Sequence, residues 1–362
     1  MKLVVFGLSL SSSWGNGHAT TYRALLRAFA ERGHEVVFYE WDAPWYGGGN
    51  RDLPDPSFCR LVLYPEWDGI AAEAVAEARD ADAVLVGSYV NGGTRVIDAL
   101  AEAGVEPLFF YDIDTPVTIA NLRKGPTDYL RADQVPLFRR YLSFTGGPFL
   151  TNVVEGEFGA NEARPLYCSV DPARYRSTAP DPELEVELAY MGTYAPDRQP
   201  VVERFLNRVA RRLPHKRFLV AGPQYPEEID WPENVRVIPH LPPARHPAFY
   251  SSAKWQLNAT RADMVAAGWS PSVRLFEAGA IGCAILSDRW AGIDALFEPG
   301  REILLPESTE EVVETLARTG EEERHALAEA LRSRVLREHS CQVRARELER
   351  YLQARPAAAI PA

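Results

Sequence analysis

The sequence predicts an α/β protein built from two doubly wound domains that face one another. Short apolar runs alternate with amphipathic stretches along most of the chain, as expected of parallel sheets covered on both faces. That alternation breaks once, at residues 171–185 (DPARYRSTAPDPELE), which are rich in proline and charge and have no periodic face. The length of 362 residues, 46% of them hydrophobic, is too great for one typical domain and suits two of about 150–200 residues.

Residues 2–7 read as a buried strand, followed by a Gly/Ser-rich loop and a helix over 18–32 with Leu25, Ala28 and Phe29 on one face. Gly33 ends that helix and residues 35–39 form the next strand. A helix at 70–79, a strand at 83–87 (AVLVG), a helix at 94–103 and a strand at 107–111 (PLFFY) repeat the pattern, and 141–144 and 164–168 read as shorter strands. After the interruption, strands at 187–191, 217–221, 235–238, 254–259, 283–287 and 303–305 alternate with helices at 200–212, 247–252 and 272–281. Helices at 309–319, 321–338 and 342–353 follow, and the last dozen residues, rich in Ala and Pro, read as frayed. The expected organisation is a first domain at 1–170, a linker at 171–185, a second domain at 186–335, and a terminal helix at 336–356 that returns to the first domain.

A formal net charge of −11 disfavours nonspecific binding to nucleic acid or anionic membranes, while leaving room for a local basic pocket. No window approaches the ~20 apolar residues of a membrane span. The opening MKLVVFGLSLSSSW is read as a first strand rather than a signal peptide, because Gly7 and a polar turn cut the apolar run short. Cys59, Cys168, Cys283 and Cys341 are widely spaced and supply neither a metal-ligand pair nor a disulfide framework. A reduced, cytoplasmic protein without bound metal or cofactor is expected, as a monomer or homodimer.

Ligands of doubly wound sheets bind beyond the carboxyl ends of the strands. The stretch SPSVRLFEAGAIG (270–282) begins a helix at that edge. Ser270 or Ser272 can cap it, and its free N–H groups suit a phosphate. Arg274 and Glu277, three residues apart, allow two readings: a surface ion pair worth a few tenths of a kcal/mol, or a nucleotide grip in which the arginine meets phosphate and the carboxylate accepts both ribose hydroxyls. Arg261, after strand 254–259, is placed for a pyrophosphate or for solvent. Gly192 and Thr193, Gly222, and the backbone around Gly292 follow other strand ends and are candidates for phosphate or sugar contacts.

In the first domain, WGNGHAT (14–20) puts Gly17 and His18 at the turn into the first helix. The spacing is neither G-x-G-x-x-G nor G-x-x-x-x-G-K-[ST], which removes support for a nicotinamide oxidoreductase or a Walker-type ATPase. His18 suits a sugar hydroxyl, a phosphate or a proton-acceptor role, or simply caps the helix. In FFYDIDTPVT (109–118), Asp112 and Asp114 leave a strand and Pro116 is expected to force a turn. Asp114 is chosen as the group facing the ligand, and two aspartates are too few for a magnesium site. Trp41, Trp45 and Tyr46, after the second strand, and Tyr89 and Asn91, in GSYVNGG (87–93), are candidates for holding an acceptor, alongside Asp112.

The segments MVAAGWSPSVRLFEAGAIGCAILSD (264–288) and WAGIDALFEPGREILL (290–305) resemble the C-terminal domain of glycosyltransferases with the GT-B architecture, two facing Rossmann-like domains. The likeness is greatest to the spore-maturation CgeB-like branch, and FFYDIDTP is similar to a segment of that family. The resemblance implies a nucleotide-diphosphate sugar held mainly by the second domain and transferred to a small-molecule or glycan acceptor without a metal. It implies Glu277 at the ribose and Arg261 and Arg274 near the phosphates or sugar; Ser272, Gly192, Thr193, Gly17 and Gly292 are expected from their strand-end and helix-start positions to line the donor site. Asp114 or His18 becomes the catalytic base if transfer inverts the anomeric centre. Retaining relatives carry a further glutamate eight positions before the ribose glutamate, where this sequence has Trp269, so their two-glutamate signature is incomplete. A sugar-nucleotide epimerase and a noncatalytic nucleotide- or glycan-binding protein are the alternatives of the same shape.

Overall fold

The computed structural model describes residues 1–14, 17–47 and 49–353. The chain divides into two compact units, one formed by Met1–Cys168 together with the chain from Cys341 onward and the other by Ser169–Ser340.

The first unit holds seven strands: β1 (Lys2–Gly7), β2 (Glu35–Trp41), β3 (Arg60–Tyr64), β4 (Ala83–Gly87), β5 (Leu108–Asp112), β6 (Arg140–Ser143) and β7 (Ala163–Pro165). They form one sheet in the order β3-β2-β1-β4-β5-β6-β7, and each neighbouring pair is parallel. AVLVG, and KLVVFG after its first residue, are apolar and buried because both faces are covered. Val4, Phe6, Val84 and Val86 belong to the core on one face, and Leu3, Val5, Leu85 and Phe109 to the core on the other.

The second unit holds β8 (Val186–Met191), β9 (Phe218–Ala221), β10 (Val235–Ile238), β11 (Ala253–Asn258) and β12 (Ala284–Ser287). They form a parallel sheet in the order β10-β9-β8-β11-β12. Tyr190 pairs with Leu257, so the two central strands end level with one another. Both units are Rossmann-like. Among the described residues, no helix is long and apolar enough to cross a membrane, and the four cysteines are free thiols.

Several elements differ from the sequence expectation. β3 (RLVLY) was not anticipated: four apolar residues after Arg60, behind a Pro-rich loop, carry too little periodicity to announce a strand. Pro116 does not turn the chain away but sits in the first turn of a helix, Thr115–Leu122, where its missing N–H has no partner to lose. Residues 262–267, between the expected strand at 254–259 and helix at 272–281, form a further helix, Ala262–Ala267, with Arg261 as its N-cap residue. Residues 303–305 contribute isolated bridges, Leu286 with Leu304 and Pro299 with Ile303, rather than a strand. Residues 171–185 lie within the second unit. The helices expected at 321–338 and 342–353 are present as Glu321–Glu338 and Cys341–Gln353, separated by His339–Ser340; the end of the terminal segment expected at 336–356 and most of the expected frayed tail lie outside the described residues.

The helix Cys341–Gln353 belongs to the first unit, where it packs on the helix His18–Ala30. Cys341, Ala345, Leu348 and Leu352 join Leu25 and Phe29 in one core, and the Arg344 Nε donates to the Tyr167 carbonyl at 3.2 Å. Leu348 is 0% exposed, so Leu348→Ala should cost about 2–5 kcal/mol in urea unfolding of the first unit, whereas Arg346→Ala, on the exposed face, should leave the midpoint near that of the parent. A Leu348→Ala variant as stable as the parent would show that this helix is not part of the core.

Candidate functional site

The chain leaves β8 toward β9 and leaves β11 toward β12, so connections diverge at the carboxyl ends of the two central strands, where such sheets form a crevice. Arg274, in the first turn of the helix Val273–Ile281, spans that point. Its Nε donates to the Met191 carbonyl at 2.7 Å, its Nη1 donates to Asn258 Oδ1 at 2.8 Å, and its guanidinium lies over Tyr190, 4.9 Å from the ring centroid. Ser272 caps the helix by accepting the Arg274 N–H at 3.3 Å. Gly192 leaves the arginine room to pass: a Cβ there would stand 3.0 Å from Arg274 Nη2 and 2.7 Å from the Tyr190 hydroxyl. Asn258 donates onward to Ser287 Oγ at 2.9 Å and Thr260 Oγ1 at 3.2 Å. Asp288 accepts both the N–H and the hydroxyl of Thr260, and burial pushes its carboxyl above the ordinary range.

Two more arginines gather here. Arg198 Nη2 donates to the Thr193 carbonyl at 2.8 Å. Burial lowers its pKa, and the charges of Arg274 and Arg261 lower it further. The Nε atoms of Arg198 and Arg261 are buried without a hydrogen-bond partner. Asp197 stands 3.6 Å from Arg261 Nε, beyond hydrogen-bond reach, and its Oδ2 is taken by the Ala262 N–H at 2.9 Å. The result is a cationic cluster with donors to spare. Arg261, Arg274, Gly192, Thr193 and Ser272 were anticipated. Arg198 was not: it lies in a polar stretch between a strand and a helix, and nothing in its spacing marks it.

Arg274 and Glu277 are both buried with separate partners, so the surface ion pair is not formed. Glu277 Oε2 accepts the Tyr250 hydroxyl at 2.9 Å. Tyr175 also faces this carboxylate, and burial followed by the Glu277 charge pushes both tyrosines well above their usual range. One carboxylate oxygen thus already accepts one hydrogen bond, and the carboxylate keeps further acceptor lone pairs. Gly292 begins the short helix Ile293–Leu296 at φ +88°, but it is buried beneath the Trp269 indole rather than open at the edge.

In the first unit the carboxyl-end loops are held from within. Glu40, at the end of β2, is 0% exposed; it accepts the N–H groups of Leu10 and Ser11 and the hydroxyls of Ser9 and Ser11. Its carboxylate is consumed in shaping the loop after β1. Gly17 is exposed and precedes the helix without a side-chain cap. His18, the first helical residue, is buried; its ring meets Tyr89 edge-on at 5.3 Å and its Nδ1 has no hydrogen-bond partner. Burial pulls its pKa down from 6.5 to about 4, so the ring is neutral at pH 7. Tyr89 is held at φ +64°, a conformation few bulky residues adopt, and its hydroxyl is pushed upward by burial and by Asp114. Asp114 N-caps the helix Thr115–Leu122 through its backbone position, without a side-chain cap bond.

Asp112 is a correction. It is 0% exposed and its carboxylate accepts the Tyr141 hydroxyl, the Thr118 hydroxyl at 3.0 Å and the Asp114 N–H at 3.1 Å. Burial raises its pKa to about 6. It is a buried support beneath Asp114 and reaches no acceptor. Trp45 is 51% exposed and packs edge-on against Trp41 and Tyr46; Tyr46 is buried, and the Trp41 Nε1 donates to the Pro65 carbonyl. Asn91 is exposed. Among the described residues, no group of three or more His, Cys, Asp or Glu side chains is placed to hold a metal ion.

Residues 198–350 match a family model described as glycosyl transferase-like. No match was found among curated protein sequences. Among solved structures, an alpha-glucosyltransferase in complex with UDP-glucose and DNA containing an abasic site is similar at 13% identity and a TM-score of 0.71, covering 98% of this chain and 100% of that one. HepE from Anabaena, in complex with UDP and glucose, is similar at 12% identity and a TM-score of 0.68, over 97% and 99% of the two chains. Sucrose-phosphate synthase from Thermosynechococcus elongatus gives 12% identity and 0.67, over 97% and 98%. The fold is the GT-B architecture of two Rossmann-like domains.

The His18 shift has a sign that can be measured. Its folded pKa lies below its unfolded value, so the unfolded state binds the extra proton, and stability is lost as pH falls from 6.5 toward about 4. Asp112 acts oppositely over its own window, from about 6 down to 3.8. Comparison with His18→Gln isolates the imidazole: relative to that variant, the parent should lose about 2 kcal/mol between pH 7.5 and 5.0 in urea unfolding. A gap that does not change with pH would contradict a buried neutral ring.

Proposed function

We propose that this protein is a glycosyltransferase that moves a sugar from a nucleoside-diphosphate sugar to a small-molecule or glycan acceptor. The observation that carries this reading is the cluster of Arg198, Arg261 and Arg274 at the carboxyl ends of β8 and β11. As the bond from sugar to phosphate breaks, negative charge grows on the leaving diphosphate. Guanidinium groups already fixed in place stabilise that charge without reorganising. The nucleotide sugar enters as a co-substrate, and the arginines supply charge compensation that a metal ion gives in other enzymes. Gly192, Thr193 and Ser272 line the phosphate position, and Glu277, steadied by Tyr250, accepts from the ribose.

The second unit is the donor side and the first the acceptor side. His18, neutral and with an unpartnered Nδ1, is in the state a general base requires, with Asp114 as the other candidate. Trp41, Trp45, Tyr46, Tyr89 and Asn91 lie in loops that follow β2 and β4 and supply aromatic and amide contacts to an acceptor. The resemblance of the segments at 264–288 and 290–305 supports a place in the CgeB-like branch.

The test is calorimetry of the purified protein against uridine, guanosine, thymidine, cytidine and adenosine diphosphate sugars, with and without magnesium. One base should bind, with no magnesium requirement. Arg274→Ala should weaken the diphosphate about 10–100-fold, the loss of one charged hydrogen-bonding contact of about 1.5–3 kcal/mol, and leave the bare nucleoside nearly unchanged; an equal loss on both would sink the phosphate assignment. Glu277→Gln, which can still accept from Tyr250, should weaken binding about tenfold without moving the unfolding midpoint. Absence of binding by folded protein would favour the noncatalytic alternative.

A further inference from the structure

Trp269 sits in a backbone conformation that tryptophan does not prefer, at φ +43°. A left-handed conformation is disfavoured for a residue with a Cβ, and bulky residues persist there only when surrounding structure holds them. Here the hold is specific. The Trp269 N–H donates to the Ala291 carbonyl at 2.6 Å. Gly268, beside it, has no room for a side chain, since a Cβ would stand 2.9 Å from that same carbonyl oxygen. A Cβ on Gly292 would lie 2.3–2.4 Å from Cδ2, Cε2 and Cγ of the indole, so the ring rests directly on glycine backbone. The residue is half-buried, unlike Trp255, which is 2% exposed and packs in the core. Two glycines and one strained residue thus fix an indole at the edge of the sheet.

Its place relative to Arg274 decides what it does. Trp269 lies on the loop leaving β11, five residues before Arg274, and is pinned to the loop leaving β12. Glu277 reaches the other way, to Tyr250 on the helix His246–Ser252 that precedes β11. Along the chain Arg274 thus falls between an indole tied to the loop after β12 and a carboxylate tied to the helix before β11. In a nucleoside-diphosphate sugar the diphosphate likewise lies between the ribose and the transferred sugar.

We infer that the Trp269 indole is the platform on which the transferred sugar stacks, and that it selects the sugar. The inference rests on the donor reading above, with Glu277 at the ribose. An indole offers a flat apolar face and no charge. It suits a neutral pyranose that presents a face of C–H bonds, as a gluco-configured ring with equatorial hydroxyls does. A sugar carrying a charged group or axial hydroxyls on that face fits poorly.

The experiment is calorimetry with UDP, GDP, dTDP, CDP and ADP, each alone and as its glucose ester, on the full chain and its Trp269→Ala and Trp269→Phe variants. The parent should bind one base in both forms. Trp269→Ala should bind that diphosphate within about twofold of the parent and its glucose ester about tenfold more weakly, a difference of about 1.4 kcal/mol. Trp269→Phe, which keeps a flat ring, should recover most of that loss. The unchanged diphosphate affinity shows that each variant is folded at the site. Equal losses on both forms, or no loss on either, overturn the sugar platform and leave the donor reading standing. Failure of the parent to bind any of the probes overturns both.

Discussion

The organisation of the second unit turns on one buried cation. Taking a guanidinium out of water is costly unless its donors are met, and Arg274 is met from several elements at once. The Met191 carbonyl comes from the end of β8, Asn258 from the end of β11 and the Tyr190 ring from β8, with Ser272 capping the helix that carries the arginine. Gly192 is small because the guanidinium passes against it. The arginine thereby ties the loop after β8, the end of β11 and the start of the following helix to a single point. A charge so fixed cannot turn away from a ligand, and that is the property a phosphate site needs.

The two sheets share a plan but use their carboxyl ends differently. In the first unit the buried carboxylates are satisfied internally: Glu40 by the loop after β1, and Asp112 by Tyr141, Thr118 and the Asp114 N–H. In the second unit three arginines gather, two of them with guanidinium Nε atoms that make no hydrogen bond, while the nearby Asp197 and Asp288 already accept from Ala262 and Thr260. An excess of donors calls for an anion. The overall charge of −11 makes that local reversal of sign more selective. In the first unit His18 is buried with its Nδ1 lacking a hydrogen bond, and the loop after β2 carries a cluster of aromatic rings.

Strain falls in the same places. Among the described residues, Tyr89, Gln224 and Trp269 are the non-glycine residues at positive φ, and each lies in a loop that follows the carboxyl end of a strand. Tyr89 adjoins His18 and Asp114, and Trp269 precedes Arg274. Regular packing supports the strands and helices cheaply, so conformations that cost energy survive where the loops are held from several sides.

Much of this was legible in the sequence because it depends on local pattern. Apolar runs of five or six residues between amphipathic helices specify parallel strands covered on both faces, and the Pro-rich stretch at 171–185 marks the change between the two series. Ser272, Arg274 and Glu277 declared themselves because a cap and two charges one turn apart have a fixed meaning at a helix start. What the sequence left open was decided by neighbours distant along the chain. Asp112 and Asp114 look equivalent in FFYDIDTP, but Tyr141, arriving from β6, buries one of them. Pro116 serves a turn or a helix start equally well until the core on either side is present. Arg198 is indistinguishable from a solvated arginine until β8 and β11 pair and bring Arg274 and Arg261 beside it. The sequence by itself determined periodicity and end signals, which are short-range; only the tertiary structure decided burial, the charge environment and the direction of each side chain, because those depend on which strands become neighbours.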